Sequence, residues 1–310
     1  MRCAPEARPP ERSGAGAPAS DGAGGPAGRS PPVKVRRLII VRLGAVGYLN
    51  ARPLVHTLDR RDRFDVRFDV PSTCAALLHA GEIDVGMIPS IEYLRGSVPY
   101  EVVPDLGIVS DGPVASVAVF SRVDIGRIRR IGLDASSRTS AGLTRVLCRE
   151  AWNIDPAFEP MPPERATRVD GCDAALVIGD PALFLDHERA GFRKIDLGLE
   201  WQRLTKLPFV WAFWAGRAGA LDADHVEALQ AARDAGVAAS DAIADAYCGP
   251  ERSALCRRYL RDNIKYRLGS REIAGVERYF ALAAAHGVVS RAERIALYAG
   301  EAPKALRGLD

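Results

Sequence analysis

The feature that most constrains the fold is a regular alternation of short apolar segments with turns and helix signals. Residues 38–41 and 83–88 are apolar runs bounded by turn residues, a pattern typical of buried strands. Between them, Pro71 and Ser72 are suited to open a helix that Gly81 ends. Strand, loop, helix and strand in this order predict a parallel α/β sheet.

A second series of strand and helix signals predicts a second α/β lobe. Its apolar runs lie at residues 114–120, 128–133 and 174–178, and an aromatic strand follows at 209–215. From residue 222 the pattern is helical. We therefore expect an α/β protein with a ligand cleft between two lobes, and C-terminal helices that pack on the first lobe. The expected division is lobe 1 from residues 35–118 and 213–310, and lobe 2 from residues 119–212.

The N-terminal segment, residues 1–34, differs from the rest of the chain in composition. Among its first 32 residues, 20 are Pro, Gly or Ala, and none is Ile, Leu, Val or aromatic. Such a segment cannot bury enough apolar surface to offset the entropy lost on ordering, so we predict a disordered extension. It also lacks the apolar stretch of a signal peptide, which argues against export.

Charge and cysteine spacing exclude several classes of protein. The 42 basic and 39 acidic residues leave a net charge of +3, whereas nucleic-acid binders carry a clustered basic excess. No apolar run approaches the roughly 18 residues that span a membrane. No C-x-x-C pair occurs among the cysteines at positions 3, 74, 148, 172, 248 and 256, so we expect neither a zinc site nor a disulfide framework. Scattered thiols fit a reducing compartment, so we expect a cytoplasmic location.

Candidate functional residues follow the predicted strands, because ligands of open α/β sheets bind at the carboxyl ends of the strands. Tyr48 and Asn50 lie in a turn-prone stretch, residues 44–50, after the first strand. Ser90 and Glu92 follow the third strand. Further candidates stand at the first crossing between the lobes and at the end of a later strand: Asp111, Ser116 and Asp180.

Several of these residues also have a purely structural interpretation. Asn50 suits a turn that requires positive φ, and Ser116 suits a core hydroxyl bonded to the backbone. Glu92 could act as a general base, but a carboxylate in a first helical turn also favours the helix dipole. The aromatic run at 209–214 is interpreted as core rather than as a stacking platform. The local pattern leaves these alternatives open.

The most suggestive cluster is residues 136–140, Ser-Ser-Arg-Thr-Ser, at a predicted helix start. It combines four hydroxyls, one guanidinium and free backbone N–H groups, which together suit an anion. Ordinary helix capping is the alternative. We favour the anion site because one hydroxyl is enough for a cap and four are present.

Five segments, taken in order, resemble the motifs of chorismate dehydratases, enzymes of the futalosine route to menaquinone. Residues 46–54 resemble the Y-L-N-x-x-P segment, and residues 84–92 resemble D-x-G-x-I-P-S-x-E. Residues 111–117 resemble G-P-V-x-S-V, residues 136–140 resemble S-x-T-S, and residues 176–180 resemble L-x-I-G-D. Each motif is weak alone, but the ordered set covers most of the chain up to the aromatic strand and is specific.

The resemblance implies a bilobed fold like that of type II periplasmic solute-binding proteins, and a hydro-lyase reaction on chorismate. Water leaves the substrate, and the ring becomes aromatic, so neither a redox cofactor nor a metal is implied. Asn50 and Ser116 would be catalytic, and the substrate's own enolpyruvyl carboxylate is a candidate base. The substrate-binding residues implied are Tyr48, Ser90, Glu92, Gly112, Ser137, Arg138, Thr139, Ser140, Gly179 and Asp180.

Two other classes remain alternatives. The sister enzyme of the same route, 1,4-dihydroxy-6-naphthoate synthase, shares the fold but fits Tyr48-Leu49-Asn50 and the Ile-Pro-Ser-x-Glu segment less well. A non-catalytic solute-binding protein should carry an export signal or a lipobox cysteine, and no apolar stretch precedes Cys3. The sequence does not indicate an oligomeric state.

Overall fold

A computed structural model describes residues 40–58, 63–134 and 136–298, so the predicted extension at 1–34 lies outside the described residues. The strands are β1 (Val41–Val46), β2 (Phe64–Asp69), β3 (Val85–Pro89), β4 (Tyr100–Ser110), β5 (Val117–Ser121), β6 (Arg130–Asp134), β7 (Ala157–Met161), β8 (Ala174–Ile178), β9 (Arg193–Asp196) and β10 (Phe209–Arg217). The α-helices are α1 (Arg52–Val55), α2 (Pro71–Ala80), α3 (Arg138–Glu150), α4 (Pro163–Ala166), α5 (Gly179–Phe184), α6 (Leu197–Thr205), α7 (Ala223–Ala238), α8 (Ser240–Cys248), α9 (Ser253–Arg258) and α10 (Ser270–Ala285). Short 3-10 turns cover Leu49–Ala51, Ser90–Arg95 and Ile125–Arg127, and a π-helical turn covers Tyr259–Asn263.

The strands form two five-stranded mixed sheets with the same internal pattern. The first has the order β2-β1-β3-β10-β4, with β1 parallel to β2 and β3, and β10 antiparallel to both its neighbours. The second has the order β7-β6-β8-β5-β9, with β6 parallel to β7 and β8, and β5 antiparallel to both its neighbours. The parallel arrangement predicted for the first strands is confirmed for β1, β2 and β3. In each sheet, the strand that crosses from the other sheet adds antiparallel pairing.

The chain passes between the sheets twice. It leaves the first sheet after β4 and returns to it with β10. The predicted boundaries after residue 118 and before residue 213 therefore fall inside β5 and β10 rather than in the connections. The division into two domains stays a prediction. Of the C-terminal helices, α7 packs against α1 and β4, and α10 packs against both β10 and α3.

The first strand continues further along the chain than predicted, and residues 38 and 39 of the predicted strand lie outside the described residues. It spans Val41–Val46 and includes Gly44 and Ala45, which had been interpreted as turn residues. A Cβ at position 44 would lie only 2.5 Å from Cδ1 of Ile83. The absence of a side chain at position 44 lets Ile83 pack directly on the strand. This glycine therefore reflects a tertiary contact rather than a turn.

The first predicted helix is confirmed, together with its end. It forms α2, and Gly81 ends it in the left-handed conformation, with φ of 74°. The aromatic strand is largely core as predicted, since Phe209, Phe213 and Trp214 are at most 1% exposed. The ring of Phe209 contacts the rings of Trp201 in α6 and Tyr279 in α10 edge-on, so the strand joins two helices to the first sheet.

The cysteines behave as predicted only in part. Cys74 and Cys148 are buried free thiols, and burial raises the pKa of each to about 12. Cys248 and Cys256, however, form a disulfide that links the end of α8 to α9. One disulfide therefore forms where scattered free thiols were expected, because the chain after Gly249 brings the Cα atoms of these two cysteines within 6.7 Å.

Candidate active site

A small cavity lies where the carboxyl ends of β1, β3 and β8 meet, between the two sheets. Its volume is about 60 Å³, whereas small-molecule sites measure roughly 300–1,000 Å³. The sheets must therefore separate before a ring-sized ligand can bind. A larger groove of about 570 Å³ runs along α7 and residues 260–267, but no residue of the second sheet lines it. We place the candidate site in the smaller cavity because strand ends of both sheets converge there.

Six of the predicted site residues line this cavity. They come from the turn after β1, from the start of α3 and from the end of β8: Tyr48, Asn50, Ser137, Thr139, Ser140 and Gly179. The other lining residues are apolar: Val46, Pro71, Pro89, Ile108, Val117, Ile178, Trp211 and Ala212. The cavity thus combines polar and apolar lining, an arrangement that suits a ring carrying charged groups.

Tyr48 crosses from the first sheet to the second. Its ring packs on Gly179, where a Cβ would lie 3.1 Å from three ring carbons. Gly179 also has φ of +66°, a conformation that side chains disfavour. Burial and the charge of Asp134 raise the pKa of Tyr48, while its bond with the Ser136 hydroxyl lowers it. The Tyr48 phenol therefore stays protonated at neutral pH.

Asn50 supplies a buried acceptor. It lies in the 3-10 turn after β1, and among the described residues its Oδ1 has no hydrogen-bond partner although the atom is buried. A buried acceptor without a partner costs roughly 1–3 kcal/mol. In a cavity wall, this acceptor is therefore suited to a donor on a ligand, such as a hydroxyl group.

Ser116 lies just behind the cavity wall, only 1% exposed, and does not line the cavity itself. Its loop is held by Asp196, whose carboxylate accepts bonds from the Val114 and Ala115 amides at 3.0 and 2.7 Å. The Ser116 carbonyl accepts from the Gly179 amide at 2.7 Å. The Ser116 hydroxyl is 2.7 Å from the hydroxyl of Tyr259. Tyr259 lies outside every sequence motif, so it was not among the predicted site residues.

The start of α3 presents hydroxyls and backbone amides to the cavity. Ser137 is the N-cap residue, yet its side chain makes no capping bond and instead donates to Ser140 Oγ at 2.8 Å. In the described chain the amides of residues 138–140 have no backbone acceptor, since the first bonded amide is that of Ala141. Ser136 is used elsewhere, because it donates to Asp134 at 2.6 Å. This geometry suits an anion at a helix start.

Arg138 and Glu92, both predicted to bind substrate, do not line the cavity. Arg138 donates to Glu92 Oε2 at 2.6 Å, and the Glu92 carboxylate is completely buried. His79 and Arg95 also contact Glu92, at 3.1 and 2.8 Å. Burial would raise the pKa of Glu92, but bonds from His79 and Arg95 and the charge of Arg138 lower it to about 2. These residues form a cluster of partly exposed basic side chains around a buried carboxylate, which a local motif does not reveal.

The remaining predicted residues also have structural partners outside the cavity. Asp180 accepts bonds from the Tyr247 hydroxyl and, at 3.3 Å, from the Leu49 amide. Ser90 donates to the Val210 carbonyl at 2.8 Å. Gly112 lies in the connection after β4 with φ of +112°. At these positions the structure shows contacts within the protein, and their contact with a substrate stays a prediction.

The cavity is lined by neutral groups. Among the described lining residues there is no Lys, Arg or His, and no carboxylate. The expected guanidinium is absent from the wall because Arg138 turns to Glu92. Trp211, predicted to belong to the core, also lines the cavity. Its Nε1 donates to Ser110 Oγ at 3.1 Å. Its position in an otherwise buried strand hid this role.

Sequence and structure comparisons identify known proteins that are similar to this chain. The family model described as menaquinone biosynthesis matches residues 41–285. A chorismate dehydratase of Thermus thermophilus is 30% identical over 220 residues, which are 66% of this chain and 80% of that protein. A solved Archaeoglobus fulgidus protein has a TM-score of 0.66 at 18% identity, over 81% of this chain and 98% of that one. A Candida albicans protein with the generic periplasmic binding protein fold has a TM-score of 0.61 at 13% identity, over 83% and 92% of the two chains.

Two mixed sheets with a cavity between them, together with these structural likenesses, define a periplasmic-binding-protein-like fold. The predicted fold class is therefore confirmed. The chain belongs to the menaquinone biosynthesis family, whose model matches most of its length. No helix among the described residues is long and apolar enough to cross a membrane.

Proposed function

We propose that this protein is a chorismate dehydratase, a hydro-lyase that converts chorismate into 3-[(1-carboxyvinyl)oxy]benzoate in the futalosine route. The observation that carries the proposal is the 30% identity to a protein of that name over most of both chains. The cavity supports it, since the apolar lining suits the six-membered ring and the start of α3 suits a carboxylate.

In this reaction the C3–H and C4–O bonds of chorismate break. The electron pair of the C3–H bond becomes the new ring double bond, and the hydroxyl at C4 takes up a proton and leaves as water. The proton lost at C3 balances the proton gained by the hydroxyl. Because the ring becomes aromatic, the elimination is driven without an oxidant or a reductant.

The base that we propose is the enolpyruvyl carboxylate of the substrate itself. Among the described residues no carboxylate or imidazole lines the cavity. Glu92 is held by Arg95, Arg138 and His79, and Asp180 accepts bonds from Tyr247 and Leu49. The substrate carboxylate is attached through the ether at C3, and such intramolecular placement gives a high effective molarity.

Asn50 and Ser116 are the proposed catalytic residues. Asn50 Oδ1 would accept a hydrogen bond from the substrate and orient it, because this buried acceptor has no other partner in the described chain. Ser116 would donate to the departing C4 oxygen. Ser137, Ser140 and the amides of residues 138–140 would bind the ring carboxylate.

The test is to incubate the purified protein with chorismate and to follow the benzoate product by chromatography and mass spectrometry. Turnover to this product is the expected result. Binding of chorismate without turnover would favour a solute-binding protein, and neither binding nor turnover would favour the sister naphthoate synthase. The Ser116→Ala variant is the matched control for a contaminating activity.

We also propose that the protein works in the cytoplasm. Buried free thiols such as Cys74 and Cys148 need no oxidising surroundings, although the Cys248–Cys256 disulfide would be unusual there. Cell fractionation with an antibody to the protein tests the location. Recovery in the periplasmic or secreted fraction would contradict it.

A further inference from the structure

We propose that Tyr259 is a positioning residue that aims the Ser116 hydroxyl at the departing oxygen of the substrate. This inference rests on the proposed function and adds a residue that lies outside all five sequence motifs. The phenol of Tyr259 connects the two proposed catalytic residues, which come from different segments of the chain.

The geometry places Tyr259 directly behind the cavity wall. It is the first residue of the π-helical turn after α9, and it is only 2% exposed. Its hydroxyl is 2.7 Å from Ser116 Oγ. The side-chain amide of Asn50 faces the same hydroxyl. One phenol oxygen is therefore the common neighbour of Ser116 and Asn50.

The phenol keeps its proton in this environment. Burial raises the pKa of Tyr259, and the hydrogen-bonding contributions of Ser116 and Asn50 offset this only in part. A neutral phenol can donate one hydrogen bond and accept another. The Tyr259 hydroxyl can therefore accept a hydrogen bond from one neighbour and donate one to the other while it stays uncharged.

The direction of that chain follows from Asn50. Its Oδ1 has no partner among the described residues, so the amide group that faces Tyr259 is the Nδ2 donor. When Asn50 donates to the Tyr259 oxygen, the phenol proton is directed to Ser116 Oγ. Because Ser116 then accepts from Tyr259, its own proton is left to point towards the substrate. Donation in the opposite sense would turn the Ser116 proton away from the cavity.

Tyr259→Phe removes only the hydroxyl and tests this role. We expect kcat on chorismate to fall roughly ten- to a hundred-fold. This is the range seen in metal sites when a group that orients a functional side chain is removed. KM should change by less than about three-fold, because Tyr259 does not touch the substrate. Adding Tyr259→Phe to Ser116→Ala should cost almost nothing further, since residues that act as one unit are not additive.

Tyr298→Phe is the matched control. Tyr298 is 4% exposed, and its hydroxyl donates to the Arg217 carbonyl at 2.8 Å, away from the cavity. It should lose stability but keep the wild-type kcat. All rates are expressed per folded molecule, determined by circular dichroism at the assay temperature, so partial unfolding cannot imitate a catalytic loss.

The outcomes separate the inference from the proposed function. An inactive wild-type protein would overturn the proposed function, and the inference with it. An active wild type with a fully active Tyr259→Phe variant would overturn the inference alone. A loss that adds fully to that of Ser116→Ala would also overturn it, because Tyr259 would then act independently of the serine.

Discussion

The Tyr247 hydroxyl in α8 donates to the carboxylate of Asp180 at the start of α5. Asp180 also accepts from the Leu49 amide in the turn after β1. Because α8 packs on α1 of the first sheet and α5 follows β8 of the second, these bonds join the two sheets at the edge of the cavity. They account for a cavity that is too small for a ring-sized ligand.

Weakening this connection should change substrate binding more than chemistry. Tyr247→Phe removes one bond to a charged acceptor, worth roughly 1.5–3 kcal/mol, from the closed form, whose cavity is too small for the substrate. Because the open form then costs less free energy to reach, we expect KM for chorismate to fall about ten-fold or more, with kcat changed less than three-fold. Steady-state kinetics beside those of Tyr298→Phe measure this. A lowered kcat at unchanged KM would show that the contact does not govern closure.

Asn50→Ala and Ser116→Ala should each lower kcat by about 10²–10³, the effect of losing one preorganised donor or acceptor at a reacting oxygen. The loss of unfolding free energy should stay near 1 kcal/mol for Ser116→Ala and be smaller for Asn50→Ala, which also removes a buried acceptor that has no partner among the described residues. Kinetics on chorismate and urea denaturation measure the two effects separately. Ser121→Ala is the control, because this buried serine donates to the Val123 carbonyl away from the cavity and should lose stability only.

Glu92→Gln should destabilise the protein while reducing kcat less than Ser116→Ala does. The variant leaves two guanidinium groups and one imidazole around a neutral amide, and removal of one partner from a buried ion pair costs about 3–5 kcal/mol. Urea denaturation at pH 7 measures the loss. Glu159→Gln is the control, since its pair with Arg130 is exposed and worth about 0–1 kcal/mol. Equal losses in the two variants would contradict the cluster's role.

The same carboxylate predicts a pH dependence. The pKa of Glu92 is lowered from 4.5 to about 2 in the folded protein, so the folded state binds this proton less tightly than the unfolded state. Its stabilisation is fully present above pH 4.5 and is lost as the pH falls towards 2. The difference in unfolding free energy between wild type and Glu92→Gln should therefore shrink across this interval. A difference that stays constant from pH 5 to pH 2 would be inconsistent with the lowered pKa.

Gly179→Ala should raise KM as well as lower stability. Its φ of +66° costs a side chain roughly 1–2 kcal/mol, and the new Cβ would press on the Tyr48 ring. Gly219→Ala is a matched control, since Gly219 has φ of +76° but no atom within 4 Å of a Cβ. The control should lose stability alone. Equal KM values for both variants would show that the Tyr48 ring does not contribute to substrate binding.

Local patterns in the sequence were sufficient for much of the fold. The helix from Pro71 to Gly81 and the buried strand at 174–178 occur as predicted, because capping, chain punctuation and apolar runs act within a few residues. The edge strands β4, β7 and β9 went unrecognised. Each has only one neighbouring strand. A proline interrupts β4 and β7, and β9 is mostly polar, so no continuous apolar run marks them.

The sequence by itself also determined which segments meet at the cavity, since residues that follow parallel strands gather at one sheet edge. Tertiary structure decided which side chains of those segments face it. Arg138 and Thr139 are adjacent, yet one turns to Glu92 and the other lines the cavity. Tyr259 reaches Ser116 across 143 positions of sequence. Such contacts depend on how helices pack across two sheets, and that arrangement leaves no local periodicity in the chain.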